Sequence, residues 1–411
     1  MDLNRRNLLK GAVAGAAGTA LAGGMLAAGA KADANAASAQ AAPTAPETVP
    51  FHGVHQAGIL SPTPIQRYST HVSLNVTAAT RADLVELFRT VTDRARFLTA
   101  GGVAPDLGVG SPPSDSDVLG PDIPADGLTV TLSVGPTLFD DRYGLASSKP
   151  AGLVPMRSFP NDSLEADKLG GDLFLQVCAN TPDAVHHALR DILKHTRGGM
   201  QLNYRQDGFV SPPRPSGTPR NLLGFKDGIS QPPVSEADRI VWVRRGAGDP
   251  AWTAGGSYHV VRFIRMLVEF WDRVSINEQE NMFGRRRDSG APLDAAGEFD
   301  APNYAKDPKG QVIPLDAHMR LANPRTAATA DSRILRRGYN YDGGIDTNGN
   351  LDAGLIFACF QQNIRRQFEA TQTRLINEPL VDYIQPYGGG YFLALPGVQD
   401  SNDWYARALL S

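Results

Sequence analysis

Cysteine is nearly missing from this chain: its 411 residues include only Cys178 and Cys359, with no Cys-x-x-Cys pair. That removes disulfide scaffolds and structural zinc from the candidate classes, and the lack of a His-Glu-x-x-His run removes zinc proteases of that type. Each cysteine lies in an apolar stretch, Leu173–Cys178 or Leu355–Phe360, so the two read as buried strand cysteines. A disulfide between them is the alternative, because spacing in sequence does not give separation in space. Charge of one sign is also missing, since the formal balance is only −3. Removing residues 1–32 takes Arg5, Arg6, Lys10 and Lys31 against Asp2 and moves that balance to −6. Neither value gives the basic footprint of a nucleic-acid binder or of a protein held to an anionic membrane.

A long, strongly apolar run is lacking too. The uncharged segment from Gly11 to Ala30 is mostly Ala, Gly and Leu, a poor composition for a stable membrane span. It follows Asn4-Arg5-Arg6-Asn7-Leu8-Leu9-Lys10 and precedes a small-x-small site at Ala30-Lys31-Ala32, the pattern of a twin-arginine export signal over residues 1–32. The bland alternative is an N-terminal anchor. An exported protein of this kind is expected in the periplasm, outside the cell or at the cell envelope. The twin-arginine route carries folded proteins, which suits one that takes up a cofactor before export. Residues 33–50 are Ala, Ser, Thr, Pro and Gln with almost nothing to bury, and read as a flexible leader.

The remaining length suggests two domains, 51–220 and 221–411. In the first, Tyr68–Val76 alternates as a strand, and Ala79–Leu98 carries Leu84, Leu87, Phe88 and Val91 at helical spacing. Strands are expected at Leu128–Val134, Asp172–Val177 and Met200–Tyr204. A helix through Ala184–His195 opens on Thr181 as N-cap with Pro182 in its first turn. Four strands and two helices fit a split βαβ, ferredoxin-like sandwich. In the second half, Tyr258–Phe270 reads as one long strand, Gly354–Phe360 as a strand running into a helix through Phe368 and Leu375, and Gly388–Pro396 as a last strand. The same order of elements recurs without residue-level repetition. Gly343–Gly349 superficially resembles a calcium loop but lacks EF-hand spacing and the closing Glu, so a plain turn is expected.

Three segments carry chemistry: Gly224-Phe225-Lys226-Asp227-Gly228, Asp316–Arg325 with His318, and Leu335-Arg336-Arg337-Gly338-Tyr339. Together they offer an imidazole, a carboxylate and a guanidinium, the set a haem needs to split a peroxide. Each has a bland reading. His318 could be one of eight ordinary histidines, Asp227 an Asx-turn residue between glycines, and Arg336 a surface ion-pair partner, with Arg337 its competitor.

The first segment resembles the GxxDG signature of dye-decolorizing (DyP-type) haem peroxidases. Gly255–Tyr258, Val268–Arg273, Phe283–Arg285, Met319–Thr326, Leu335–Tyr339 and Gly388–Phe392 resemble the exported, EfeB-like deferrochelatase/peroxidase subgroup, from about His55 to Gly397. The resemblance implies an α+β fold of two ferredoxin-like domains, each an antiparallel sheet with helices, with one haem b per chain held mainly by the C-terminal domain. It implies His318 as axial iron ligand, Asp227 as distal acid/base and Arg336 as distal cation. Asp382 becomes the acceptor on the second imidazole nitrogen, and Gly228, Ile229, Ser230, Asn323, Pro324 and Arg325 become haem contacts. Implied partners are hydrogen peroxide and a dye or other small-molecule reductant, with iron-uptake components a further expectation. The expected reaction is peroxide-driven oxidation of dyes, phenols or similar one-electron donors. Alternatives are deferrochelatase or ferrous-iron oxidation in iron uptake and, last, non-catalytic haem carriage. Trp252, Trp271 and the tyrosines default to packing, and the oligomeric state stays open.

Overall fold

Alternation in the first half decides which face of each strand meets a helix. The computed structural model describes residues 47–411, which fall in one compact unit. The expected signal segment 1–32 and nearly all of the expected leader 33–50 lie outside the described residues. Strand β1 (Tyr68–Val76) leads to helix α1 (Arg81–Ala100), strands β2 (Thr129–Val134) and β3 (Leu173–Ala179), helix α2 (Pro182–His195) and strand β4 (Met200–Phe209). A Thr80–Asp83 capping box opens α1, and Gly101, at φ 70°, ends it in a conformation that glycine adopts without strain. Val72, Leu74, Leu173, Leu175 and Val177 pack with Leu84, Phe88, Val91, Leu189 and Ile192 in the larger core. Thr181 does precede α2, but its hydroxyl bonds Asp126 Oδ2 at 2.8 Å and does not cap the helix.

The second half supplies β5 (Ser257–Met266), β6 (Tyr339–Ile345), β7 (Leu351–Gln361) and β8 (Ile384–Ala394). The strand expected to run to Phe270 stops at Met266, and Val268–Trp271 forms a helical turn. β6 was not legible: Tyr339-Asn340-Tyr341-Asp342-Gly343-Gly344 has too few apolar residues to announce a strand, and its neighbours impose it. Of the segment Gly343–Gly349, residues 343–345 end β6 and the expected turn follows them, with Asp346 Oδ1 accepting from the Asn348 and Asn350 N–H groups at 2.8 and 2.9 Å.

The spatial order is β2-β3-β1-β4 in one set and β6-β7-β5-β8 in the other, all antiparallel, which is the ferredoxin-like order twice over. The sets join where Leu393 and Ala394 of β8 face Val134 and Ser133 of β2, and where Phe209 of β4 faces Asn340 of β6. The eight strands thus close into a ring with almost no free edge. Phe174, Tyr204, Phe263, Tyr339, Tyr341 and Phe392 fill the sheet face turned away from the helices. Cys178 belongs to that cluster and Cys359 to the helix-side core, and both are free. Among the described residues, no helix is long and apolar enough to cross a membrane.

Candidate active site

The long connection from β5 to β6 carries both the imidazole of His318 and the guanidinium of Arg336, the shorter one from β7 to β8 carries Asp382, and the GxxDG loop precedes β5. The loop is held from behind. Asn221 Oδ1 accepts from the Leu223 and Phe225 N–H groups at 3.1 Å each, and the Asp227 N–H donates to Pro219 O at 2.9 Å. Lys226 turns inward, 2% exposed, and pairs with Glu298 at 2.6 Å. Asp227 therefore turns outward, about one-third exposed. Its Oδ1 accepts from the Gly228 N–H and from Arg336 Nη1, both at 2.7 Å. Gly228 sits at φ 93° with open space where a Cβ would stand, so its glycine answers to backbone conformation and leaves room beside Asp227.

Arg336 lies on a two-residue strand, Leu335–Arg336, against Phe360 and Cys359 of β7. Gln231 ties that strand to the Asp227 loop, accepting from the Arg336 N–H at 3.0 Å and donating to its carbonyl at 2.8 Å. Successive side chains leave an extended chain on opposite sides. Arg337 accordingly enters the interior, 3% exposed, and donates to Pro62 O and Gln66 Oε1 at 3.1 Å each. The guanidinium on Asp227 is that of Arg336, and Arg337 is structural.

His318 opens helix α3 (His318–Ala322) and is one-third exposed. Its Nδ1 lies 2.6 Å from Glu378 Oε2, and Glu378 is 3% exposed. A buried carboxylate oxygen needs a donor, which puts the proton on Nδ1 and leaves the lone pair on Nε2. The expected acceptor, Asp382, is corrected to Glu378. Asp382 is exposed on the turn Pro379–Tyr383, one turn past the position that faces the imidazole. Desolvation lowers the proton affinity of His318, but the charge and hydrogen bond of Glu378 outweigh it, and the net pKa shift is upward. Arg336 lowers and Asp227 raises the same pKa, so both charges reach His318 and all three residues share one site.

Arg374, from the helix Ala370–Leu375, donates to Leu321 O and Ala322 O at 2.8 and 3.0 Å and holds the end of α3. Beyond it, Asn323 Oδ1 accepts from the Arg325 N–H at 3.3 Å, and Arg325 stands at φ 58°, unusual for a residue with a side chain. Ile229 is partly buried and Ser230 exposed on the loop after Asp227, while Asn323 and Pro324 are partly buried. Sequence reading missed Glu378, Gln231, Glu298 and Arg374. Of these only Glu378, just before Pro379 at a helix-to-turn boundary, left any local mark.

One imidazole with a buried carboxylate behind it, facing a carboxylate–guanidinium pair on a closed α+β ring, defines a site for acid/base chemistry beside a singly ligated metal or macrocycle. The comparisons give that class its family. Residues 56–210 match the family model "Dyp-type peroxidase, N-terminal" and residues 218–399 "Dyp-type peroxidase, C-terminal". This chain belongs to the Dyp-type peroxidase family. It is 49% identical over 415 residues to a protein of Escherichia coli named deferrochelatase, covering 99% of this chain and 97% of that one. It is 51% identical over 368 residues to a deferrochelatase of Yersinia pestis, covering 88% and 84%. Among solved structures, DtpA of Streptomyces lividans superposes with TM-score 0.79 at 34% identity, covering 89% of this chain and 98% of that one. A DyP-type peroxidase of Cellulomonas bogoriensis gives TM-score 0.79 at 33%, with the same coverage.

Proposed function

We propose that this protein is a haem b peroxidase, one haem per chain, that uses hydrogen peroxide to oxidise dyes, phenols or similar one-electron donors. The observation that carries it is the Asp227–Arg336 pair sharing a site with the uncommitted Nε2 of His318. The residues fit a haem. A macrocycle would need only one ligand to its iron from the protein, and no group of three or more His, Cys, Asp or Glu among the described residues is arranged to hold a bare metal ion. His318 Nε2 would be that ligand, and Gly228, Ile229, Ser230, Asn323, Pro324, Arg325 and Arg336 would border the porphyrin.

When bound, the haem would supply the redox chemistry between peroxide and the reductant. Glu378 strengthens His318 as a donor by accepting its Nδ1 proton. Arg336 holds Asp227 by its Oδ1 and puts a fixed positive charge where negative charge develops. Asp227, with Oδ1 engaged by two donors, takes the proton of hydrogen peroxide on Oδ2 and returns it to the departing oxygen, directly or through one water.

A second reading, iron release from haem or ferrous-iron oxidation in an iron-uptake system, is favoured by the relatives named deferrochelatase. Simple haem carriage leaves Asp227 and Arg336 without a task. The twin-arginine pattern supports export to the periplasm or cell envelope. The test is stopped-flow absorbance of the haem-loaded protein with peroxide, beside Asp227→Ala and His318→Ala. A fast change slowed in Asp227→Ala supports the peroxidase; stable haem with no peroxide response moves the reading to carriage or iron release.

A further inference from the structure

Side chains four apart on a helix stand in one row. On α2, His186, Arg190 and Lys194 make such a row, and Leu189 and Leu193 make the next. A cleft of about 490 Å³ opens here, walled by both rows, by Leu202 and Arg205 of β4, by Arg197 between the two elements and by the loop 112–115. Lys194 fastens that loop to the helix, donating to the Pro113 carbonyl and to Asp115 O, the latter at 2.9 Å. None of Asp227, His318 and Arg336 lines the cleft.

Its floor is apolar. Leu189 is buried, Leu193 half-buried, and Leu202 stands 48% exposed although it is a large aliphatic side chain on a strand. Its charge is unbalanced. Arg205 is answered by Asp207 at 2.6 Å. Asp115, the one carboxylate of the lining, is 5% exposed; its Oδ1 accepts from the Asp117 N–H at 2.9 Å and its Oδ2 stands 4.0 Å from Nε2 of buried His187. Arg190 and Arg197 are both exposed, and among the described residues neither guanidinium has a hydrogen bond or an ion pair.

An apolar floor beside two uncommitted guanidiniums suits a ligand that is apolar at one end and anionic at the other, and the volume is that of a small-molecule site. A guanidinium plane stacks on an aromatic face as well as bonding an oxyanion, so a ring gains more here than an acyl chain. Inorganic phosphate would engage the cations and leave Leu202 in water. We propose that this cleft binds a small aromatic anion, an aryl sulfonate or aryl carboxylate, with its ring on Leu193 and Leu202 and its oxyanion held by Arg190 and Arg197. The site lies outside the haem reading and does not depend on it.

The test is equilibrium dialysis of the haem-loaded protein against anilinonaphthalene sulfonate and against phenylnaphthylamine, the same ring body without the charge. Wild-type protein should take up one sulfonate per chain, about tenfold to a hundredfold more tightly than the neutral amine, the scale of one or two charge-assisted hydrogen bonds. An Arg190→Gln, Arg197→Gln double variant should erase that preference while leaving the affinity for the amine and the peroxide-dependent absorbance change as they are. Leu202→Asn should weaken both compounds. All three side chains are exposed, so their loss leaves the core intact. Equal affinity for the two compounds, a preference unchanged in the double variant, displacement of the sulfonate by equimolar phosphate, or uptake confined to haem-free protein each overturns the proposal.

Discussion

Arg336 donates to Asp227 at 2.7 Å across 109 positions of sequence, and Gln231 bonds the backbone of the same arginine from both sides. The pair is fixed by the fold and stands ready before any substrate arrives. Replacing Asp227 with Asn, or Arg336 with Leu, should slow the first peroxide-dependent absorbance change by about 10²–10³-fold, equivalent to about 2.7–4 kcal/mol. Rates measured against peroxide concentration, with haem content matched, check this.

Arg337 should behave differently from its neighbour. It is buried and bonded to Pro62 and Gln66, so Arg337→Met orphans those acceptors and should cost about 1–3 kcal/mol of stability. Denaturant unfolding should show that loss, while the peroxide rate of the folded fraction stays near wild type.

Glu378 and Asp382 make a second contrasting pair. Glu378→Gln removes the charge behind His318 and should weaken haem affinity or activity by roughly 10–100-fold, the usual cost of losing such a partner. The reduction potential should rise as the imidazole becomes a poorer donor. Asp382→Asn should change neither quantity in a redox titration.

Acid should loosen the Asp227 loop through Glu298. Desolvation raises the pKa of that carboxyl, but Lys226 and Thr218 lower it further, and the net shift is downward. A depressed folded-state pKa gives stabilisation that is full above the unfolded carboxyl value, about 4.3, and is lost as pH falls through the lower folded value. Melting temperature should therefore fall from about pH 5 to about pH 3, with a shallower fall in a Lys226→Met, Glu298→Gln double variant.

Cys178 and Cys359 should resist thiol reagents in the folded protein and both react after unfolding. Burial raises both thiol pKa values and denies access. Thiol counts before and after denaturant, unchanged by mild oxidant, check that no bridge forms.

The sequence by itself determined the local chemistry and most elements. Alternation in Tyr68–Val76, the 3.6-residue period of α1 and the motifs around Asp227, His318 and Arg336 are properties of short windows, where sterics and burial act between near neighbours. Relationships between distant windows were decided by tertiary structure. Closure of eight strands into a ring depends on two brief junctions, β8 with β2 and β4 with β6, that no periodicity announces. Glycine-rich β6 is a strand because its neighbours pair with it. The choice of Glu378 over Asp382 turns on one turn of chain, and that of Arg336 over Arg337 on which side of a two-residue strand faces Asp227. Sequence names the groups that can donate, accept or carry charge; only packing sets which of them lie within three ångströms of one another, and hydrogen-bond energy falls off over that distance.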